Sequence, residues 1–276
     1  MHQARADDIV ARIEADIVGA LGRGDAPEPQ ALLFLLRRYA ASDRPDLAEP
    51  VGYGLAVALT RYDRSAHTID RAAWLRLFVD AARVSDDERL RPAIEALVET
   101  LSAEWTTHSD VERAGAAIDA CLYAAEGPLA PTVVQKAIDE LERIAAAAYA
   151  PGVELRSVGP YVRFASALLT AFTITARIPY AMLAEEVAQA LRRRHWDEAA
   201  GLFGAPLDVN CEAVRVLRRL AALHGNAEYR TAAVVAPDAD YARDADIVLD
   251  SLSLRLADEP FPLAAFGLAL TQRAAA

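Results

Sequence analysis

The sequence predicts an all-α fold of about twelve helices arranged as six helical hairpins, and two observations carry that prediction. Apolar residues recur at three- and four-residue spacing almost throughout, with no convincing alternation of the kind a half-buried strand shows. A similar apolar block also returns every 42 to 49 residues: "ALLFLLRRYAASDRPDLAEPV", "AWLRLFVDAARVSDDERLRPAI", "AAIDACLYAAEGPLAPTVVQKAI", "FASALLTAFTITARIPYAMLAEEV" and "EAVRVLRRLAALHGNAEYRTAA", with "LAAFGLALTQRAAA" beginning a sixth. A period in that range marks helical hairpins, which bury their apolar faces only by packing on neighbours.

Taken in order, the pattern places helices near residues 6–23, 29–42, 46–62, 70–84, 87–104, 110–125, 131–149, 160–176, 180–195, 209–223, 240–255 and 261–273. Ser85 with Glu88, and Ser109 with Glu112, have the spacing of capping boxes, in which each side chain satisfies a backbone N–H that the helix leaves unbonded. Pro45, Pro131 and Pro179 suit first-turn positions, where a missing N–H costs nothing, whereas Pro50 is expected to bend the third helix. Residues 227–239 fit a short helix, a turn or extended chain equally well.

Six hairpins can form an open solenoid or a closed ring in one domain spanning 1–276. Closure is favoured by the last helix: "FPLAAFGLAL" is apolar nearly all round and wants partners on both sides, which the first helix, "ADDIVARIEADIVGALG", can help to supply. The whole pattern resembles the six-hairpin (α/α)6 toroid superfamily, which includes glycosidases, polysaccharide lyases and sugar epimerases. More narrowly, "HWDEAAGLFGAPLDVNCEAVRVLRRLAALHGNAEYR" followed by "FPLAAFGLALTQ" resembles the C-terminal helical part of bacterial thioredoxin-domain proteins. This chain departs from them, with Val209-Asn210-Cys211 where a Ser-Gly-Asn is usual and with no CxxC. The resemblance implies a closed toroid with a sugar-like ligand in its central crevice, and either hydrolase or epimerase chemistry.

Composition narrows the function classes. A formal charge of −11 repels polyphosphate and anionic lipid, so neither nucleic acid nor membrane is an expected partner. Cys121 and Cys211 lack metal-ligand or CxxC spacing, and no metal or cofactor is called for. The opening "MHQARADDIV" has no apolar signal core and no run reaches the ~20 apolar residues of a membrane span, which points to a soluble, cytoplasmic protein. Lys136 is the lone lysine in an alanine- and arginine-rich chain, a composition suggestive of a high-GC bacterium.

Alternating helices put successive connections at opposite ends. One face receives short turns such as "VSDDE" and "LHGNAE". The other receives longer segments, among them "YDRSAHTID", "EWTTHSD" and "RHWDEAAGLFGAPLDVN". On this second face fall Trp74, Trp105 and Trp196, with His67, His108 and His195, and also Asp70, Asp110, Asp197, Asp208, Glu154, Glu259, Arg156, Arg163 and Tyr161. Aromatic planes among carboxylates suit a sugar, since indole offers an apolar face and carboxylates accept hydroxyl protons. For a hydrolase, the paired carboxylates are drawn from Asp110, Asp197 and Asp208. For an epimerase, His108 and His195 would remove and return a proton from opposite sides. Trp74, Trp105, Trp196, Tyr161, Arg163, His67 and Glu259 are the candidate ligand contacts. Each has a plainer role too: Asp70, Asp110 and Asp208 stand at N-cap positions, tryptophan is usually core, and His195 closes a basic helix end. The competing class is a non-catalytic helical-repeat scaffold for a protein partner, and a homodimer is compatible with either.

Overall fold

A computed structural model describes residues 3–42, 44–64, 67–105, 110–126, 131–148, 155–232, 234–255 and 263–271. Thirteen α-helices lie among them: α1 (Gln3–Gly22), α2 (Pro29–Ser42), α3 (Ala48–Ala58), α4 (Thr68–Val84), α5 (Leu90–Glu104), α6 (Val111–Ala125), α7 (Val134–Ala148), α8 (Val158–Thr175), α9 (Ile178–His195), α10 (Leu207–Gly225), α11 (Ala227–Ala232), α12 (Tyr241–Arg255) and α13 (Ala264–Thr271). The twelve expected helices are all present, and α11 is the addition. Its start is explained by Asn226, whose side-chain oxygen accepts from the N–H groups of Glu228 and Tyr229.

Six helices form an inner ring. α2 packs on α4, α4 on α6, α6 on α8, α8 on α10, α10 on α13, and α13 returns to α2. The ring is closed, and its members are the helices that carry the repeated blocks. α1, α3, α5, α7, α9 and α12 pack outside, and α1 leans on α13 as the apolar end helix required. The seam is tight: a Cβ added at Gly267 of α13 would lie 2.7 Å from the ring of fully buried Phe34 on α2. Alanine is what lets the inner helices approach elsewhere. α6 buries Ala114, Ala116, Ala117, Ala120 and Ala124, and a Cβ at Gly159 of α8 would fall 2.2 Å from the Glu112 carboxylate.

Several local expectations change. The third helix begins at Ala48 after a 3-10 turn (Pro45–Leu47), so Pro50 sits in a first turn and has no N–H bond to break. Pro179 occupies the first turn of α9 and Pro131 opens another 3-10 turn. Ser85 does not build a capping box with Glu88. It ends α4, its hydroxyl accepts from Asp87 N–H, and α5 starts only at Leu90. Ser109 lies outside the described residues, and Asp110 caps α6 by accepting from Glu112 N–H at 2.9 Å.

A short β-hairpin was also unexpected. Trp196–Asp197 (β1) pairs antiparallel with Leu202–Phe203 (β2) inside the long connection between α9 and α10. Asp197 accepts from the N–H groups of Ala199 and Ala200, and Gly201 takes a φ of +62° that side chains disfavour. Two-residue strands are too short for alternation to register. Among the described residues, no helix is long and apolar enough to cross a membrane.

Candidate functional site

Each inner helix starts on the face of the longer connections, so the inner N-termini gather there around the ring axis. A crevice of about 490 Å³ opens among them, within the range of small-molecule sites. Its wall is a set of polar stripes at helical spacing. On α10, Asp208, Glu212, Arg215 and Arg219 follow at steps of four, three and four and share one face, spanning roughly 16 Å of helix. α4 contributes Asp70, Trp74 and Arg76, α6 contributes Asp119, and α8 contributes Arg163 and Ser166. Gln30 and Leu33 of α2 and Leu268 of α13 complete the circuit.

The wall changes sign with depth. Asp70 and Asp208 stand in the first turns of α4 and α10, helices on opposite sides of the ring. The positive helix ends favour carboxylates at such positions. One turn deeper, Glu212 pairs with Arg163 at 2.5 Å. Below them lies Asp119, buried and ion-paired with Arg76, accepting from the hydroxyls of Ser166 at 2.7 Å and Thr170 at 2.6 Å. Burial alone would push this carboxyl up, but Arg76 and Arg219 together with the two hydroxyls hold it below the usual range, so it stays ionised. Arg219 is held in turn by the Ser166 carbonyl and the Thr170 hydroxyl, both at 3.2 Å. Arg215 is held low: burial, then Arg76 and Arg37, bring it down to about 10, against the pull of Glu212 and Asp119. Toward the opposite face, Arg76 and Arg83 stack on the Tyr123 ring at 5.0 and 4.6 Å, and Asp80 takes bonds from Arg37, Arg83 and Tyr123.

Behind the wall, Glu112 of α6 lies against Gly159 of α8. Burial raises its pKa, Asp110, Glu212 and Asp208 add to the rise, and Arg163 opposes it.

Of the residues singled out from sequence, the crevice wall includes Asp70, Trp74, Arg163 and Asp208. The others stand elsewhere. Trp105 is 2% exposed at the end of α5, a core side chain. His67 is exposed at the N-cap position of α4, and Asp110, also exposed, caps α6 and pairs with Arg113. Asp197 is spent on the hairpin turn. Tyr161 is buried, accepts from Arg194 at 2.9 Å, and meets the His195 ring edge-on at 5.5 Å. Trp196 packs on Phe203 beneath the Arg192 guanidinium. The suspected connector is therefore a folded hairpin, pinned to α10 by Asn210, whose amide donates to the carbonyls of Phe203, Ala205 and Pro206 and accepts from Phe203 N–H. His108, Glu154 and Glu259 lie outside the described residues. Cys121 and Cys211 are buried and burial pushes both thiols up, so neither is poised as a nucleophile. Among the described residues, no group of three or more histidines, cysteines and carboxylates is arranged to hold a metal ion.

Arg76, Asp119, Glu212, Arg215 and Arg219 were missed. The three- and four-residue spacing of Glu212, Arg215 and Arg219 was visible, but a polar stripe on a helix reads the same whether it faces bulk water or an enclosed crevice.

No protein-family model matches the chain, and no curated protein matches it in sequence. Solved structures do. An unsaturated glucuronyl hydrolase specific for heparin superposes with a TM-score of 0.66 at 13% identity, covering 98% of each chain. The GH76A α-1,6-mannanase from Salegentibacter sp. HEL1_6 gives 0.60 at 13%, over 90% of this chain and 88% of the other. A D-mannose isomerase gives 0.60 at 12%, over 81% and 73%. Together with the closed inner ring, these likenesses show that the chain has the (α/α)6 toroid fold.

Proposed function

We propose that the crevice binds a sugar-like small molecule and acts on it by carboxylate acid–base chemistry, as a hydrolase. The observation that carries this reading is the convergence of Trp74 with Asp70, Asp208 and Glu212 in one small-molecule-sized concavity. Trp74 supplies a flat apolar surface, and the rim carboxylates accept sugar hydroxyls. Asp208, in the wall, is the carboxylate that activates water or attacks, and Glu112, which stands behind the wall in charge contact with Asp208, Glu212 and Arg163, is the proton donor. His195 packs on Tyr161 away from the crevice wall, which favours this chemistry over exchange between two histidines. The sugar-processing enzymes among the structural neighbours are consistent with it.

The remaining sequence expectations join the proposal: one helical domain, working in the cytoplasm of a bacterium as a monomer or homodimer. The likeness of its last third to the helical part of thioredoxin-domain proteins remains a resemblance in pattern, without the CxxC of their redox chemistry.

A thermal-shift screen of mono- and disaccharides tests the reading. A sugar at about ten times its dissociation constant stabilises by about 1.4 kcal/mol, raising Tm by about 2–4 °C. That shift is expected to vanish in Trp74→Ala and Asp208→Asn. A panel with no hit, or a hit that both variants retain, sinks the proposal in favour of a scaffold that binds protein.

A further inference from the structure

The crevice is polarised, and its deeper half is rich in guanidinium groups. Carboxylates occupy the mouth, at Asp70 and Asp208, and the next turn balances Glu212 against Arg163. Below that, Arg76, Arg215 and Arg219 all line the wall, and Asp119 is the one carboxylate in the wall at their level among the described residues. Its oxygens are already engaged by Arg76 and by the Ser166 and Thr170 hydroxyls. Asp80, the next carboxylate down, is taken by Arg37, Arg83 and Tyr123. A chain with a formal charge of −11 thus sets Arg76, Arg215 and Arg219 around Asp119 in the deeper wall, with Glu212 one turn above.

Gathering guanidinium groups in a poorly solvated space raises their mutual repulsion, a cost that an incoming anion offsets. The depressed pKa of Arg215, caused by burial and then by Arg76 and Arg37, is the expected signature of that crowding. Arg219 is preset in orientation by its bonds to Ser166 and Thr170, and Arg76 by Tyr123 and Asp119, so little ordering would remain on binding. Planar guanidinium groups match the paired oxygens of a carboxylate or a phosphate.

We propose that Arg76, Arg215 and Arg219 form an oxyanion subsite that receives the carboxylate or phosphate of an acidic sugar, with the sugar ring above it against Trp74. The inference deepens the sugar-binding reading and rests on it for the ring, but the oxyanion half stands on the arginines alone. A mouth of carboxylates above a floor of cations also orients the ligand, acidic end first.

Isothermal titration with glucose, glucuronate, glucose 6-phosphate, acetate and inorganic phosphate, at constant ionic strength, tests it. One of the acidic sugars is expected to bind at least about tenfold more tightly than glucose, and the preferred one names the anion. Arg215→Gln is expected to erase the preference of the acidic sugar over glucose. If this variant fails to fold, the parent decides: raising salt from about 0.05 to about 0.5 M is expected to shrink the acid-to-neutral ratio. Equal affinity for glucose and both acids overturns the subsite and leaves the sugar pocket standing, as does a preference that a folded Arg215→Gln or added salt leaves untouched. Phosphate or acetate binding without any sugar binding upholds the subsite and overturns the sugar reading. No binding by any of the five overturns both.

Discussion

Asp119 and Glu185 are both buried carboxylates with several donors apiece, and the identity of those donors separates their roles. Glu185, fully buried on α9, accepts from the backbone N–H groups of Val235 and Ala236 at 3.0 Å, from Tyr229 and Tyr241, and contacts His224 at 2.8 Å. It is a clasp, fastening the segment between α11 and α12 to the outer ring. Asp119 takes its bonds from hydroxyls and a guanidinium at the edge of a 490 Å³ space. Donors from the main chain commit a carboxylate to the fold. Donors that are themselves side chains of a cavity wall tie it to the groups that line that cavity.

Three predictions would break or sharpen this contrast. The largest effect is expected from Glu185→Ala, which strands five partners and costs about 3–5 kcal/mol of stability. Urea melts read that loss, and sugar affinity measured well below the melting range should stay within about twofold, as for any site decoupled from the cavity. A loss under about 1 kcal/mol would mean that the segment is not clasped. Next comes Asp119→Asn. Removing the anion that Arg76 and Arg219 share should cost about 2 kcal/mol and tighten binding of an acidic sugar at the same time. Stability and affinity moving in opposite directions is the outcome that distinguishes it from Glu185, and unchanged affinity would make Asp119 another clasp.

The smallest effect is one of pH. In Glu185 burial raises the pKa, but the Val235 and Ala236 N–H groups and His224 outweigh it and hold the carboxyl below its ordinary 4.5. A folded pKa below the unfolded one stabilises at pH above the unfolded value, and that stability drains away as pH falls through the folded value. The gap in Tm between the parent and Glu185→Gln should therefore narrow as pH drops from about 6 to about 3. A gap that stays constant would show that Glu185 acts through shape and not charge.

How much of this was legible beforehand follows the same division. Apolar periodicity identified all twelve long helices, and the repeated blocks marked out the inner ring, because burial between helices leaves a 3.6-residue signature. The face that carries the crevice was legible too, from the lengths of its connections. The lining was only partly so. Trp74, Arg163 and Asp208 stood near that face, whereas Glu212, Arg215 and Arg219 lay inside "EAVRVLRRL", where an amphipathic pattern hides the fact that its polar side faces an axis and not solvent. Rare residue types misled in the other direction: His195, Trp196 and Asp197 stand out in composition, but they build and cap a hairpin. Periodicity tells which side chains share a face. Only the closing of the ring tells what that face looks upon.

That closing is itself worth following to its end. Gly267 and Phe34 meet across more than two hundred residues of chain, and until α13 has taken its place the crevice wall has a gap where Leu268 belongs. The inner ring behaves as a hoop. Each inner helix is a stave that touches the shared space, so a ligand in that space would tighten the joints between staves that never contact one another. Assembly of the hoop, with its long-range final joint, should be slow, and occupancy of its centre would draw the last stave home.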